Sequence, residues 1–162
     1  MSWWYAGVLV LPLVAVLRWG RRNLVRVTVR GRSMQPTYAD GHLLLVRRVP
    51  PRRLAAGRVV VLERPDEPDG LGWSAPPCAG GAVGGRSWLV KRLAAVPGDP
   101  VPPGVAGAGD VGTVPAGRVV VLGDNAAASM DSREIGLVPV ERVLGVALRS
   151  RRPAAERGPA RG

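Results

Sequence analysis

A single lysine is the first position in this chain whose side chain could do acid–base chemistry. Lys91 stands against 22 arginines, so arginine has replaced lysine almost everywhere else. Arginine stays charged in proteins, whereas a lysine amine can lose its proton when it is buried and can then act as a base. Lys91 is therefore a candidate general base, although a lysine left by chance would look the same in the sequence.

The residues around Lys91 predict a strand that would bury its amine. In the run 87–94 (SWLVKRLA), Leu89, Lys91 and Leu93 would share one face, because alternate residues of a strand point to the same side. An apolar face would desolvate the amine and lower the pKa of Lys91. The alternative is a lysine at a sheet edge whose charged end reaches solvent past the leucines.

A second segment, 31–37 (GRSMQPT), carries a candidate nucleophile directly after a predicted strand. Gly31 frees the backbone and Pro36 restricts it, which places Ser33 on a constrained turn. A serine held in this way could attack a carbonyl while its own N–H points into an oxyanion site. By itself the pattern also fits an ordinary turn serine.

A third segment, 123–133 (GDNAAASMDSR), follows an apolar strand predicted at 118–122. Its Gly-Asp-Asn start is typical of a turn. Ser129, Asp131 and Arg133 then crowd into five residues, which predicts a polar cluster. An ordinary capped loop is the alternative.

The only histidine and the only cysteine are weaker candidates. A Ser–His enzyme would need His42 as the base, with Asp40 or Asp131 behind it, but His42 follows a glycine at the start of a predicted strand, where surface residues are common. Cys78 lies in a Pro/Gly-rich loop without a basic neighbour, which disfavours a nucleophilic thiol. A single cysteine also excludes an intramolecular disulfide, and zinc-type Cys/His spacing is missing.

The composition favours a β domain as the scaffold for these residues. The chain has 22 glycines and 16 prolines but no phenylalanine, which is typical of short strands joined by many turns. From residue 24, valines alternate with polar residues, as in a half-buried strand. Further strands are predicted at 42–49, 58–63, 87–96, 118–122 and 143–149. We expect one domain over 23–149, with long surface loops at 64–86 and 97–117.

The two ends of the chain differ from this domain. Residues 3–17 are uncharged and apolar, tryptophans flank them, and arginines follow at 18, 21 and 22. A helix of about 15–19 residues would reach roughly 22–28 Å, which predicts a membrane anchor over 1–22, with a buried core helix as the alternative. The tail 150–162, rich in Arg, Pro, Gly and Ala, is predicted to be disordered. The net charge of +11 is compatible with an anionic membrane surface or with nucleic acid.

Together, the three polar segments resemble those of the type I signal peptidases, the membrane-bound Ser/Lys endopeptidases of peptidase family S26. Residues 33–37 are similar to the nucleophile box of that family, 91–92 with 97–99 to its general-base box, and 123–136 to its last box. The resemblance covers residues 3–149. It implies a mainly β fold, the antiparallel β domain of signal peptidases, with an N-terminal transmembrane helix.

The resemblance also implies a role for each catalytic residue. Ser33 would attack the scissile carbonyl, neutral Lys91 would remove its proton, and Ser129 would orient the Lys91 amine. The backbone N–H of Ser33 would donate to the oxyanion. No metal and no cofactor are expected.

Four further residues would support this machinery. Asp131 and Arg133, together with Arg92, would form a polar framework. Gly31 stands where some family members have a serine whose hydroxyl is a second oxyanion donor, so that donor is absent here or comes from elsewhere.

The function expected from the resemblance is removal of signal or leader peptides from precursor proteins. The substrate would bind as an extended strand beside Ser33, with small residues at the first and third positions before the cut. The expected partners are such precursors and membrane lipid, and nucleic acid is not expected. The expected location is the cytoplasmic membrane, spanned once. The family places its catalytic domain outside, whereas the arginines at 18–22 favour the cytoplasm.

Two alternatives stay open at this point. One is a dedicated maturation peptidase for a single protein or peptide. The other is a catalytically inactive, basic protein that binds membranes or nucleic acid.

Overall fold

The computed structural model of the protein describes residues 14, 18, 20, 23–66, 72–77, 84–109 and 111–151. Within these residues the chain forms seven strands: β1 Leu24–Thr28, β2 Leu43–Arg47, β3 Val59–Glu63, β4 Trp88–Ala95, β5 Arg118–Leu122, β6 Val138–Pro139 and β7 Val143–Arg151. One short α-helix, α1 (Ser132–Ile135), and three 3-10 helices (Pro51–Arg53, Ala126–Ala128 and Val140–Arg142) lie between the strands.

The strands form one antiparallel sheet in the order β1-β2-β7-β3-β4-β5-β6. This confirms the mainly β, antiparallel fold, and each strand predicted from the sequence is present. β6 was not predicted, because two residues are too short to show an alternating pattern. β7 runs two residues beyond its predicted end, so residues 150 and 151 pair with β2 instead of beginning the tail.

β3 lies at the centre of the sheet, and all five of its residues are buried. Val59 and Val61 pack into one apolar cluster, together with Met34 from the segment after β1. Val60 and Leu62 pack into a second cluster on the opposite face. Because both faces are covered, β3 reads as a continuous apolar run and not as an alternating one.

β1 is an edge strand with one covered face. Val25 and Val27 are half-buried, whereas Arg26 and Thr28 are exposed, which confirms the alternation read from the sequence. Val29, directly after β1, is fully packed in the first apolar cluster.

Two sequence predictions fall largely outside the described residues. Of the predicted anchor at 1–22, only Val14, Arg18 and Gly20 are described, and each is helical. The part of the chain that the structure describes contains no helix long and apolar enough to cross a membrane. The predicted disordered tail from residue 152 onward also lies outside the described residues, as does Cys78.

Candidate active site

β4 places Lys91 in the interior of the protein. The strand lies between β3 and β5, and Lys91 stands opposite Val60 in the register. Only 2% of Lys91 is exposed, so it is not an edge lysine whose charged end reaches solvent. On the same face, Leu93 is buried and Leu89 packs against the second apolar cluster, which confirms the predicted apolar row. Burial lowers the pKa of Lys91, and this outweighs the opposing influence of nearby Asp131.

The Lys91 amine is held by a hydroxyl whose own proton is already committed. Lys91 Nζ donates to Ser129 Oγ at 3.0 Å, and Ser129 Oγ donates to Asp131 Oδ2 at 2.7 Å. Because the Ser129 proton points to Asp131, the Ser129 oxygen accepts an N–H of Lys91. A neutral amine has two N–H groups and one lone pair, so this contact fixes one N–H and leaves the lone pair available to a second group.

Asp131 ends the chain of hydrogen bonds that begins at Lys91 and passes through Ser129, and it is fully buried. Its side chain caps α1 by accepting a hydrogen bond from the backbone N–H of Arg133. It also accepts two hydrogen bonds from the Arg133 guanidinium, at 2.9 and 2.6 Å, and one from the Gly123 N–H at 2.8 Å. Burial raises the pKa of Asp131, but the bonds from Arg133, Ser129 and Gly123 outweigh it and lower the pKa to about 2. The carboxylate is therefore charged at neutral pH.

The backbone of Ser33 is clamped by the segment after β5. Asn125 N donates to Ser33 O at 2.9 Å, and Asn125 Nδ2 donates to Arg32 O at 3.2 Å. On the other side of the turn, Gly31 has a positive φ of 86° and its N–H donates to Asp40 Oδ1 at 2.7 Å. These contacts fix the turn that presents the half-buried Ser33, as the sequence predicted.

Gly123 lies between the backbone of Ser33 and the side chain of Ser129. A Cβ at this position would lie 2.1 Å from Ser129 Oγ and 2.8 Å from Ser33 O. Both distances are far inside van der Waals contact, so only glycine fits without moving one of the two serines. Gly123 was read from the sequence as a turn residue, and its spacing role could not be seen there.

Ser33 and Lys91 meet at one small cavity. The cavity has a volume of about 190 Å³, and its wall includes Ser33, Lys91, Leu89, Ala128 and Met130. The predicted nucleophile and the predicted base are thus brought together, with Ser129 behind the base.

A larger groove of about 590 Å³ leads away from Ser33, between residues 26–30 on one side and 86–90 on the other. Residues 26–28 belong to β1, the last strand at that end of the sheet. On the opposite wall, β4 pairs with β5 only from Arg92 onward. The groove therefore runs between two strand edges.

Arg92 belongs to a separate network. Its guanidinium forms a two-point contact with Asp124, at 2.8 and 2.7 Å, and also donates to Gly57 O at 2.8 Å. Thr37 Oγ1 donates to the same Asp124 carboxylate, and the bond from Arg92 lowers the pKa of Asp124. The prediction that Arg92 joins Asp131 in one framework is wrong, because neighbouring residues of a strand point to opposite faces.

His42 is buried, with 7% exposure, so its expected surface position is wrong. Its ring packs edge-on against Tyr38 at 6.1 Å between centroids, and neither ring nitrogen bonds to a described residue. Asp40 and Asp131, the acids a Ser–His mechanism would need, bond to other groups. The geometry gives His42 no place in a catalytic relay.

The described residues contain no group of three or more His, Cys, Asp or Glu side chains placed to hold a metal ion. The chemistry available at the site is that of a hydroxyl beside a buried amine.

The family model for signal peptidase, peptidase S26, matches residues 1–104 and 102–150 of the chain. The match includes all three polar segments, with Ser33, Lys91 and Ser129. No curated protein sequence matches the chain.

Proposed function

Because the chain belongs to the signal peptidase family, peptidase S26, we propose that it is a membrane-anchored serine endopeptidase that removes signal or leader peptides by a Ser/Lys mechanism. One observation supports this proposal above the others: the buried Lys91 amine, held by Ser129, shares a cavity with Ser33. A hydroxyl needs a base to become a nucleophile at neutral pH. An amine of lowered pKa can be that base.

In the first half of the reaction, Ser33 Oγ attacks the scissile carbonyl carbon and its proton passes to the neutral Lys91 Nζ. The carbonyl oxygen becomes an oxyanion, and the N–H of Ser33 donates to it. Lys91 then gives the proton to the departing amine as the peptide bond breaks. The leader remains as an ester on Ser33, and the mature protein leaves with a new N-terminus.

In the second half, water attacks the ester and its proton passes to Lys91. Collapse of the second oxyanion breaks the ester bond, Ser33 Oγ takes the proton back from Lys91, and the leader leaves with a carboxylate end. The charge on Lys91 rises and falls twice in each cycle. The Asp131 carboxylate is separated from the Lys91 amine by the Ser129 hydroxyl, and it stabilises the protonated amine without contacting it directly.

Gly31 restricts how the oxyanion can be held. It has no side chain, so the hydroxyl found at this position in some family members is absent, and its N–H is already bonded to Asp40. In our proposal the Ser33 N–H is therefore the principal donor.

The groove supports binding of the substrate as an extended strand. A chain laid between β1 and the first half of β4 would meet two strand edges, and backbone hydrogen bonds to such edges are a common way to bind peptides. Beside Ser33, the cavity of about 190 Å³ bounded by Leu89, Ala128 and Met130 suits a small apolar side chain directly before the cut.

We propose that residues 1–22 anchor the protein in the cytoplasmic membrane, with the catalytic domain at 23–149 outside. The precursor would reach the same membrane through its leader, which raises the local concentration of both partners. The only cysteine, Cys78, can test the orientation. A membrane-impermeant maleimide should label it in intact cells, and labelling only after permeabilisation would place the domain inside.

The deciding experiment is cleavage of leader-bearing precursors by the full-length protein in detergent. Ser33→Ala should abolish cleavage while the circular dichroism spectrum stays unchanged, because only a hydroxyl is lost. Ser74→Ala is the matched control, since Ser74 is exposed and, among the described residues, its hydrogen bonds go to Asp66. Full activity in Ser33→Ala would refute the Ser/Lys assignment. Absence of cleavage by the wild type across a broad precursor panel would favour an inactive binding protein.

A further inference from the structure

The walls of the groove beside Ser33 are basic. Four arginines line it, Arg26, Arg30, Arg64 and Arg86, and none of the described residues in its wall is acidic. The first three are exposed, and within the described parts of the chain none of them forms an ion pair. They leave three cationic side chains available to a bound peptide.

Arg86 differs from the other three because it already forms an ion pair. It pairs with the buried carboxylate of Glu63 and donates to Pro76 O at 2.9 Å. Arg142 contacts the other oxygen of Glu63 at 2.9 Å. Because Glu63 already holds Arg86, recognition of further charge is left to the three exposed arginines.

The positions of Arg26 and Arg30 specify where a partner charge would lie. They alternate with the half-buried Val27 and the buried Val29, so both face away from the core. They are four residues apart, or roughly 13 Å at about 3.3 Å per residue. A substrate strand has the same two-residue repeat, so its side chains at even positions face away from those at odd positions.

This repeat links the arginines to particular substrate residues. If the first and third residues before the cut face the core side of the groove, the second and fourth face the side on which Arg26 and Arg30 lie. Arg30 is three residues before Ser33 in the chain, which places it nearest the fourth substrate residue, whereas Arg26 lies four residues farther from the cut.

We infer that the groove selects leader peptides that carry aspartate or glutamate at the fourth position before the cut, beside Arg30. This inference rests on the proposed peptidase function and names its substrate class. Arginine is suited to the task because its planar guanidinium can contact both oxygens of a carboxylate. The net charge of +11 adds a long-range attraction for acidic peptides.

The test uses the full-length protein and peptides that differ only at the fourth position, with Glu, Gln or Lys. We expect kcat/KM for the Glu peptide to exceed that for the Gln peptide about two- to fivefold at low salt, as is usual for exposed ion pairs. The Lys peptide should be the poorest substrate. The Glu/Gln ratio should approach one at 1 M salt, where the screening length falls to about 3 Å. The same exchange at the fifth position should change kcat/KM little, because that side chain faces the other way.

Protein variants test whether Arg30 is the residue that recognises the acidic side chain. The ratio of kcat/KM for the Glu peptide to that for the Gln peptide is compared, because a general loss of activity affects both peptides equally. Arg30→Gln should bring the ratio close to one, and Arg30→Glu should make the Lys peptide the best of the three. Arg52→Gln is the matched control, because Arg52 is an exposed arginine on a 3-10 helix outside the groove, and its ratio should equal that of the wild type. A wild-type ratio of one, or a ratio that Arg30→Gln leaves unchanged, would overturn the inference.

A binding measurement separates this inference from the proposed function. Fluorescence anisotropy of the labelled Glu and Gln peptides with the Ser33→Ala variant reports the groove without any cleavage. Equal affinities would overturn the acidic preference even if the wild type is an active peptidase. Tighter binding of the Glu peptide would uphold it even if no peptide is cleaved, an outcome that would count against the peptidase proposal alone.

Discussion

Lys91 and Arg92 are neighbours on β4, yet their side chains serve two different kinds of site. Each reaches a carboxylate in the segment after β5, on opposite faces of the strand. Lys91 reaches Asp131 through the Ser129 hydroxyl and is 2% exposed. Arg92 contacts Asp124 directly, and its side chain is 36% exposed.

The difference lies in what each contact does to the charge. Burial lowers the pKa of Lys91, whereas the hydrogen bond to Asp124 raises the pKa of Arg92. A carboxylate in direct contact with Lys91 would favour the protonated amine. The Ser129 hydroxyl between them keeps Asp131 at a distance, so burial dominates. One face of β4 can therefore exchange a proton, while the other holds the loop with a permanent charge.

The largest effect that tests this comparison is expected from exchanging the two cations. Lys91→Arg retains the charge but cannot deprotonate, so kcat/KM should fall by about a thousandfold or more, as when a general base is lost. Arg92→Lys, the matched control on the other face, retains a cation where only a cation is needed and should lose less than about tenfold. Substantial activity in Lys91→Arg would show that Lys91 is not the base.

The pH dependence of the wild type belongs to the same prediction. Activity should fall towards acid pH as the Lys91 amine becomes protonated, because only the neutral form can accept the Ser33 proton. His42→Ala should leave this profile unchanged, since the His42 ring packs against Tyr38 and neither of its nitrogens bonds to a described residue. A profile that moves in this variant would assign the titration to the histidine.

A smaller effect is expected from removing the link between the amine and its carboxylate. Ser129→Ala should lower kcat/KM by about 10- to 100-fold, which corresponds to losing one orienting hydrogen bond of about 1.5–3 kcal/mol. Asp124→Asn, which weakens the clamp on the other face, should cost less. Steady-state kinetics on one precursor would measure both. Wild-type activity in Ser129→Ala would show that packing alone orients Lys91.

Local patterns were enough to predict six of the seven described strands and the apolar row in which Lys91 lies. The alternation of Leu89, Lys91 and Leu93 already contained the apolar face on which the amine lies. The same alternation places Arg92 on the other face, but its assignment to the Asp131 framework followed the resemblance instead. The two-residue period holds in β4, which has neighbours on both sides, and also in the edge strand β1.

Contacts between distant segments could not be predicted from local patterns. The steric role of Gly123 arises because Ser33 and Ser129, far apart in the chain, converge on its Cα. The pairing of Arg92 with Asp124 and the burial of His42 against Tyr38 likewise depend on how loops fold over the sheet. Nothing in the spacing of these residues encodes such approaches.

The smallest expected effect concerns stability, where the two faces of β4 should respond with opposite signs. Lys91→Met removes a buried amine and leaves an apolar side chain of similar length, so the free energy of unfolding should rise by about 1 kcal/mol at pH 6. Arg92→Met should lower it by about 1 kcal/mol, because Asp124 loses a partly exposed partner. Thermal unfolding of the full-length variants in detergent, followed by circular dichroism, measures both changes.

The pH dependence gives this last prediction its sign. Because burial lowers the pKa of Lys91 from 10.5, the unfolded chain binds more protons than the folded one between the folded pKa and 10.5, and wild-type stability rises with pH there. Burial of the charged amine lowers the free energy of unfolding by its full amount below the pKa of Lys91 in the folded protein. This loss becomes smaller as the pH approaches 10.5. The advantage of Lys91→Met should therefore shrink as the pH is raised, while the deficit of Arg92→Met should stay constant, since neither Arg92 nor Asp124 titrates in that range. If the gain in stability of Lys91→Met did not change with pH, the folded protein would bury Lys91 without lowering its pKa. The two faces of β4 would then differ only in packing.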